Sequence, residues 1–176
     1  MKLITWQRRL LELQEDKIII LDTDFLSSFL KIGGLDLVKD FFNVKFLHIP
    51  VSVMREISTT DLMNEFLKID YIKIVNVSEK DFGMLKGVEF ERLGLGEKEC
   101  MALCKQCQNS ILLISDNKAR KVARKKGIVV LNIPAFLLAC KKTMFLENNE
   151  IALIMKDLKQ KDYFEFGKDE KRELLK

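Results

Sequence analysis

Short apolar runs alternate with amphipathic stretches along most of the chain. Positions 17–21, led by the β-branched Ile18, Ile19 and Ile20, stop at Asp22-Thr23-Asp24, which predicts a buried strand ending in a polar turn. Phe25, Leu26, Phe29 and Leu30 then recur at helical spacing until Gly33-Gly34, and residues 35–42 resume the same period. A second strand is expected over 45–49. Pro50 suits the first turn of the next helix, whose stripe is Val53, Met54 and Ile57 and which also carries Glu56. A helix over 60–69 and a strand over 72–77 follow, and then a helix runs from an N-cap at Ser78 toward Arg92. Gly94-Leu95-Gly96 breaks the pattern, and Glu97 opens a helix ending near Asn109. Residues 111–114 read as a strand closing in Ser115-Asp116-Asn117. A helix over 118–126 stopped by Gly127, a fifth strand over 128–131, helices over 134–142 and 149–160, and a charged tail complete the order.

Strands alternating with helices imply a parallel sheet covered on both faces. No linker, repeat or low-complexity tract interrupts the 176 residues, so one domain is expected. The longest apolar runs, 18–21 and 133–140, fall short of the roughly 20 residues a membrane-spanning helix needs. Charged residues within 1–16 argue against a signal peptide, and a cytoplasmic protein is expected. A net charge of +4 is too mild to announce a nucleic-acid binder. Cys100, Cys104 and Cys107 match the C-x3-C-x2-C spacing of an iron–sulfur loop. Their spacing is also one face of a helix, and they are read as small core residues. With Cys140 alone and His48 the only histidine, a zinc finger is excluded.

Ligands of open parallel sheets bind beyond the carboxyl ends of the strands, where Asp22 and Asp116 are placed. Glu56 and Glu97 lie soon after a strand end or at a helix start, so all four acids are able to converge. Carboxylates gathered without a cation repel, and a bound hard cation is the usual reason to tolerate that.

Four segments, in this order, resemble the PIN-domain family of metal-dependent ribonucleases. They are Ile19-Ile20-Leu21-Asp22-Thr23-Asp24-Phe25-Leu26, Pro50-Val51-Ser52-Val53-Met54-Arg55-Glu56-Ile57, Gly96-Glu97-Lys98-Glu99-Cys100-Met101-Ala102-Leu103 and Leu113-Ile114-Ser115-Asp116-Asn117-Lys118-Ala119-Arg120. The Gly-Glu-x-Glu start is most similar to a small prokaryotic branch. The resemblance spans 17–143 and leaves 144–176 as a C-terminal helical extension of the single domain. It implies a three-layer α/β/α sandwich, PIN-like and Rossmann-like, around a parallel sheet of about five strands. It further implies that Asp22, Glu56, Glu97 and Asp116 form the catalytic set, with Asp22, Glu97 and Asp116 holding Mg2+ or Mn2+ and Glu56 orienting a water. RNA is the implied substrate. Family members usually form homodimers, and many small ones are toxins restrained by an antitoxin protein.

Around this set, Thr23 and Ser115 offer hydroxyls for a ligand or phosphate, or simply turn and cap groups. Many relatives have Ser, Thr or Asn where this chain has Asp24, Asp where it has Glu97, and Asp where it has Asn117. Asp24 adds a fifth carboxylate or, as preferred here, caps the next helix. Glu99, about 200° round the helix from Glu97, is expected at the surface or behind the ligands. Lys118, Arg120, Lys121, Arg124, Lys125 and Lys126 follow Asp116 directly and suit RNA phosphates, of which the first four are the principal candidates; a solvated helix face explains the same run. Tyr163, Phe164 and Phe166 are read as packing residues rather than a platform for bases. Two rival functions remain: a phosphatase with an aspartyl nucleophile at Asp22-Thr23-Asp24, and a catalytically silent PIN-like module that binds RNA or protein.

Overall fold

The structure, a computed structural model, describes residues 17–83, 85–107 and 109–176; the expectation for residues 1–16 lies outside them. Five parallel strands form one sheet: β1 (Ile18–Leu21), β2 (Leu47–Pro50), β3 (Ile72–Val75), β4 (Ser110–Leu113) and β5 (Val129–Leu131), in the order β3-β2-β1-β4-β5. The central strand pairs Ile19 with Leu47 on one side and Ile20 with Leu112 on the other. Ile19, Ile20 and Leu21 are fully buried, as an all-aliphatic strand covered on both faces requires.

Helix α1 (Thr23–Ile32) leaves β1 at once, and Gly33 ends it in the left-handed region at φ 67°, which a side chain disfavours. Helix α2 is Leu35–Phe42 and α3 is Val51–Ser58, which starts directly at the end of β2. The ten-residue helix expected over 60–69 shrinks to α4 (Met63–Phe66), because only Phe66 of it is buried. Likewise the helix expected from Ser78 to Arg92 breaks into α5 (Glu79–Gly83) and α6 (Val88–Glu91), with glycines at 83 and 87. Helix α7 (Leu95–Gln106) packs over β1, β2 and β4, and α8 (Asn117–Lys125) packs against β5. Helices α9 (Ile133–Lys142), α10 (Asn148–Lys161) and α11 (Lys168–Leu175) complete the chain. The charged tail is thus itself helical, anchored by Leu174 at 1% exposure.

Cys100 and Cys104 are buried on the inner face of α7, as the helical reading of the cysteine spacing expects. Phe166 is buried and meets Phe164 edge-on, whereas Tyr163 is 86% exposed. An aromatic cluster joins α1, α2 and α9: Phe25 stacks on Phe29 at 4.8 Å, and Phe136 meets Phe25, Phe29 and Phe41 edge-on at 6.0, 5.6 and 5.3 Å. No described helix is long and apolar enough to cross a membrane. Phe136 is fully buried at the hub of this cluster. Phe136→Ala is therefore expected to lower the unfolding free energy by about 3–5 kcal/mol in urea titration. A loss below about 1 kcal/mol would show that the hub collapses without cost.

Candidate functional site

The strand order reverses at β1. Strands β2 and β3 lie to one side of it, β4 and β5 to the other, so the crevice between β1 and β4 is the topological switch point. Asp22 stands there. Its backbone N–H donates to Leu113 O at 3.0 Å, continuing the β1–β4 ladder by one residue. Its side chain then accepts twice: Phe25 N–H donates to Oδ1 at 2.7 Å and Ser115 N–H donates to Oδ2 at 3.1 Å. Asp22 is thus the N-cap of α1 and the tie between α1 and the end of β4. Asp116 plays the matching part on α8, accepting at Oδ1 from Ala119 N–H at 2.7 Å. Two helix N-termini therefore point their partial positive charge into the crevice.

Asp24 does not cap α1, contrary to expectation. Asp22 holds that role, and Asp24 sits exposed in the first turn. Glu97 lies three residues after the N-cap of α7 and accepts from Gly94 N–H at 2.8 Å. Glu56, one turn into α3, accepts a short hydrogen bond from the Thr23 hydroxyl. Gly96 makes room for it: a Cβ at that position would stand 3.0 Å from Glu56 Oε1.

The charges show how closely these groups gather. Burial at 4% exposure pushes the Asp22 carboxyl up to about 7, against the pull of its two N–H donors and with help from Asp24 and Glu97. Glu97 is raised by burial and then by Asp116, Asp24 and Glu56. Desolvation and then Asp116, Glu56 and Asp162 raise Asp24, with Lys31 pulling the other way. Glu97 thus lies within electrostatic reach of Asp22, Asp24, Glu56 and Asp116, and among the described residues no cation is a leading influence on Asp22 or Glu97. The side chains are not drawn to one point, however. Their oxygens turn toward hydrogen-bond donors, and among the described residues no three His, Cys, Asp or Glu side chains stand in ligating geometry. The hydroxyl of Ser115, beside Asp22, is buried and without a partner among the described residues. A hard-oxygen set with unbalanced negative charge fits a divalent cation held by Asp22, Glu97 and Asp116, provided Glu97 leaves its present hydrogen bond to Gly94.

Residues without a motif of their own also reach this region. Asp162, at the end of α10, accepts from Ser28 Oγ and from Lys31 Nζ, both at 2.6 Å, and so ties α10 to the helix that Asp22 caps. Glu99, expected at the surface or behind the ligands, is half-buried and accepts from Ser52 N–H at 3.0 Å. Neither pairing has a local sequence signal, because each joins helices more than 40 residues apart.

Beyond Asp116, Ala119 and Ala123 bury one side of α8 while Lys118, Lys121, Arg124 and Lys125 face solvent. Arg120 donates to Asn117 Oδ1 at 3.1 Å, and Lys126 pairs with Glu89 at 2.8 Å. Lys118, Lys121, Arg124 and Lys125 pair with no carboxylate among the described residues, leaving their charge for an anionic partner.

With a native pKa of about 7 against 3.8, Asp22 keeps its proton longer in the folded state, so folding is favoured below about pH 4 and this contribution is lost as pH rises through 7. Between pH 5 and 8 the ionisation of Asp22 is expected to cost the metal-free protein about 2–3 kcal/mol of unfolding free energy, a loss that Asp22→Asn removes. Urea unfolding in EDTA across this range measures both, and an equal slope in the two proteins would contradict the assignment.

The family model described as PIN domain matches residues 18–176. No curated protein matches the chain. The match runs from the first strand through α11, beyond the 17–143 covered by the motif resemblance, and so takes in the helices that Asp162 ties to α1. A five-stranded parallel sheet between helices, acids at its switch point and a match over nearly the whole length lead to one conclusion: this chain belongs to the PIN-domain family, whose members are generally nucleases.

Proposed function

We infer that this protein is a divalent-metal-dependent endoribonuclease that hydrolyses RNA phosphodiester bonds. The observation that carries the reading is the unbalanced group of acids at the β1–β4 switch point, with the desolvated Asp22 at its centre. Asp22, Glu97 and Asp116 would hold Mg2+ or Mn2+. When bound, the ion supplies the positive charge that attack on a phosphodiester demands and makes water a better nucleophile.

The remaining work falls to the chain itself. Asp22 and Asp116 are fixed by their helix-capping bonds, so their carboxylates need no reorganisation at the moment of reaction. Glu56, held by the Thr23 hydroxyl at the exposed edge of the group, is placed to accept a proton from an attacking water. The buried Ser115 hydroxyl is available to a ligand oxygen, and Asn117 starts the helix that presents Lys118, Lys121 and Arg124 to the phosphates on either side. Such contacts carry no base preference, so affinity falls with salt while selectivity arises elsewhere. An aspartyl phosphatase fits poorly, because Asp22 is 4% exposed and both its oxygens already accept N–H bonds. The reading extends to a cytoplasmic homodimer serving as the toxin of a toxin–antitoxin pair.

Calorimetric Mn2+ titration and cleavage of single-stranded RNA test this reading together. Wild type is expected to bind Mn2+ and cleave. Asp22→Asn and Asp116→Asn are expected to fold, lose measurable Mn2+ binding and lose cleavage by at least about 100-fold. Cleavage that survives both substitutions would overturn the site. Mn2+ binding without cleavage of any RNA would favour the silent module. A basic-helix variant, Lys121→Ala with Arg124→Ala, is expected to keep Mn2+ binding while RNA affinity drops and its salt dependence becomes shallower by about two phosphate contacts.

A further inference from the structure

Helix α3 delivers Glu56, yet nothing within its own sequence holds its beginning. Its N-cap is Pro50, which offers no side-chain acceptor, and its first turn contains no acidic residue. Ser52 is 3% exposed, so its N–H cannot turn to water, and its hydroxyl has no partner among the described residues. The acceptor arrives from α7: Glu99 Oε2 receives the Ser52 N–H at 3.0 Å. A carboxylate at a helix N-terminus gains from both the hydrogen bond and the helix dipole.

The position of this bond matters more than its strength. Ser52 and Glu56 are four residues apart and share a face of α3, while Gly96, Glu97 and Glu99 lie in the first turns of α7. At one end of this contact Glu99 grips α3 by Ser52. At the other, Gly96 passes beneath Glu56 so closely that an added Cβ would stand 3.0 Å from Oε1. The two helices are thus pinned one turn from Glu56, which lies within electrostatic reach of Glu97, and Thr23 of α1 completes the hold on Glu56.

Resting on the nuclease reading, we propose that Glu99 is a positioning residue: by capping α3 from α7 it holds Glu97, a metal-binding acid, in register with Glu56, and so sets the geometry of the site without touching the ion. Reach and charge are separable here. Glu99→Gln keeps the length and an acceptor oxygen, whereas Glu99→Asp keeps the charge but is one methylene too short to reach Ser52.

Both full-length variants are measured by Mn2+ titration and by amide hydrogen exchange across α3. Glu99→Gln is expected to hold Mn2+ within about threefold of wild type and to keep α3 exchange unchanged. Glu99→Asp is expected to weaken Mn2+ by about tenfold and to speed exchange at residues 52–57, with protection of the sheet intact. Wild-type behaviour in Glu99→Asp, or equal losses in both variants, would overturn the proposal. If wild type itself binds no Mn2+, the nuclease reading fails separately. Exchange then still decides the clamp: unchanged α3 protection in Glu99→Asp refutes it, and selective loss there supports it.

Discussion

The carboxylate of Asp22 accepts the N–H of Phe25 with one oxygen and the N–H of Ser115 with the other, and the carboxyl edge of the sheet is organised around that pair of bonds. One bond starts α1 in the direction that sends Phe25 and Phe29 into the aromatic cluster under Phe136. The other fixes the exit of β4, and with it the point where Asp116 begins α8. A single buried side chain therefore sets the relative placement of both helices that open on the crevice. An aliphatic residue at position 22 would leave the Ser115 N–H without its acceptor and α1 without its cap.

This arrangement has an electrostatic cost. Asp22 is desolvated, Asp24 and Glu97 add negative charge beside it, and the two helix N-termini offset only part of the repulsion. Lys31 answers Asp24, but it is shared with Asp162 at 2.6 Å. A fold optimised for stability alone would place a cation among these acids. Keeping the group unbalanced makes sense for a site that recruits a divalent ion, and the solvent-facing lysines of α8 begin one turn away, where a phosphate backbone would follow.

Strand and turn chemistry make most of the fold legible in the amino-acid sequence. The aliphatic run ending in Asp22 and the one ending in Ser115-Asp116 mark β1 and β4, and both aspartates occupy the strand ends expected of them. The features that are not legible depend on neighbours distant in the chain. Residues 60–69 and 78–92 carry helical residues but bury little beyond Phe66 and Phe90, and without tertiary packing they settle into short turns. Asp24 reads as a cap because an Asp and a helix start coincide there; the extended backbone of Asp22, at φ −80° and ψ 169°, gives the role to the earlier residue. The bonds of Glu99 to Ser52 and of Asp162 to Ser28 join surfaces that only the folded sheet brings together.

On the nuclease reading a divalent cation relieves the repulsion around Asp22. Thermal unfolding with and without Mn2+, at pH 5 and at pH 8, tests it most directly, because ligand binding to the native state raises Tm only where the site is competent. A clear rise in Tm with Mn2+ is expected at pH 8, above the raised pKa of Asp22, and a much smaller one at pH 5, where Asp22 holds a proton. An equal shift at both pH values, or none at either, would contradict it.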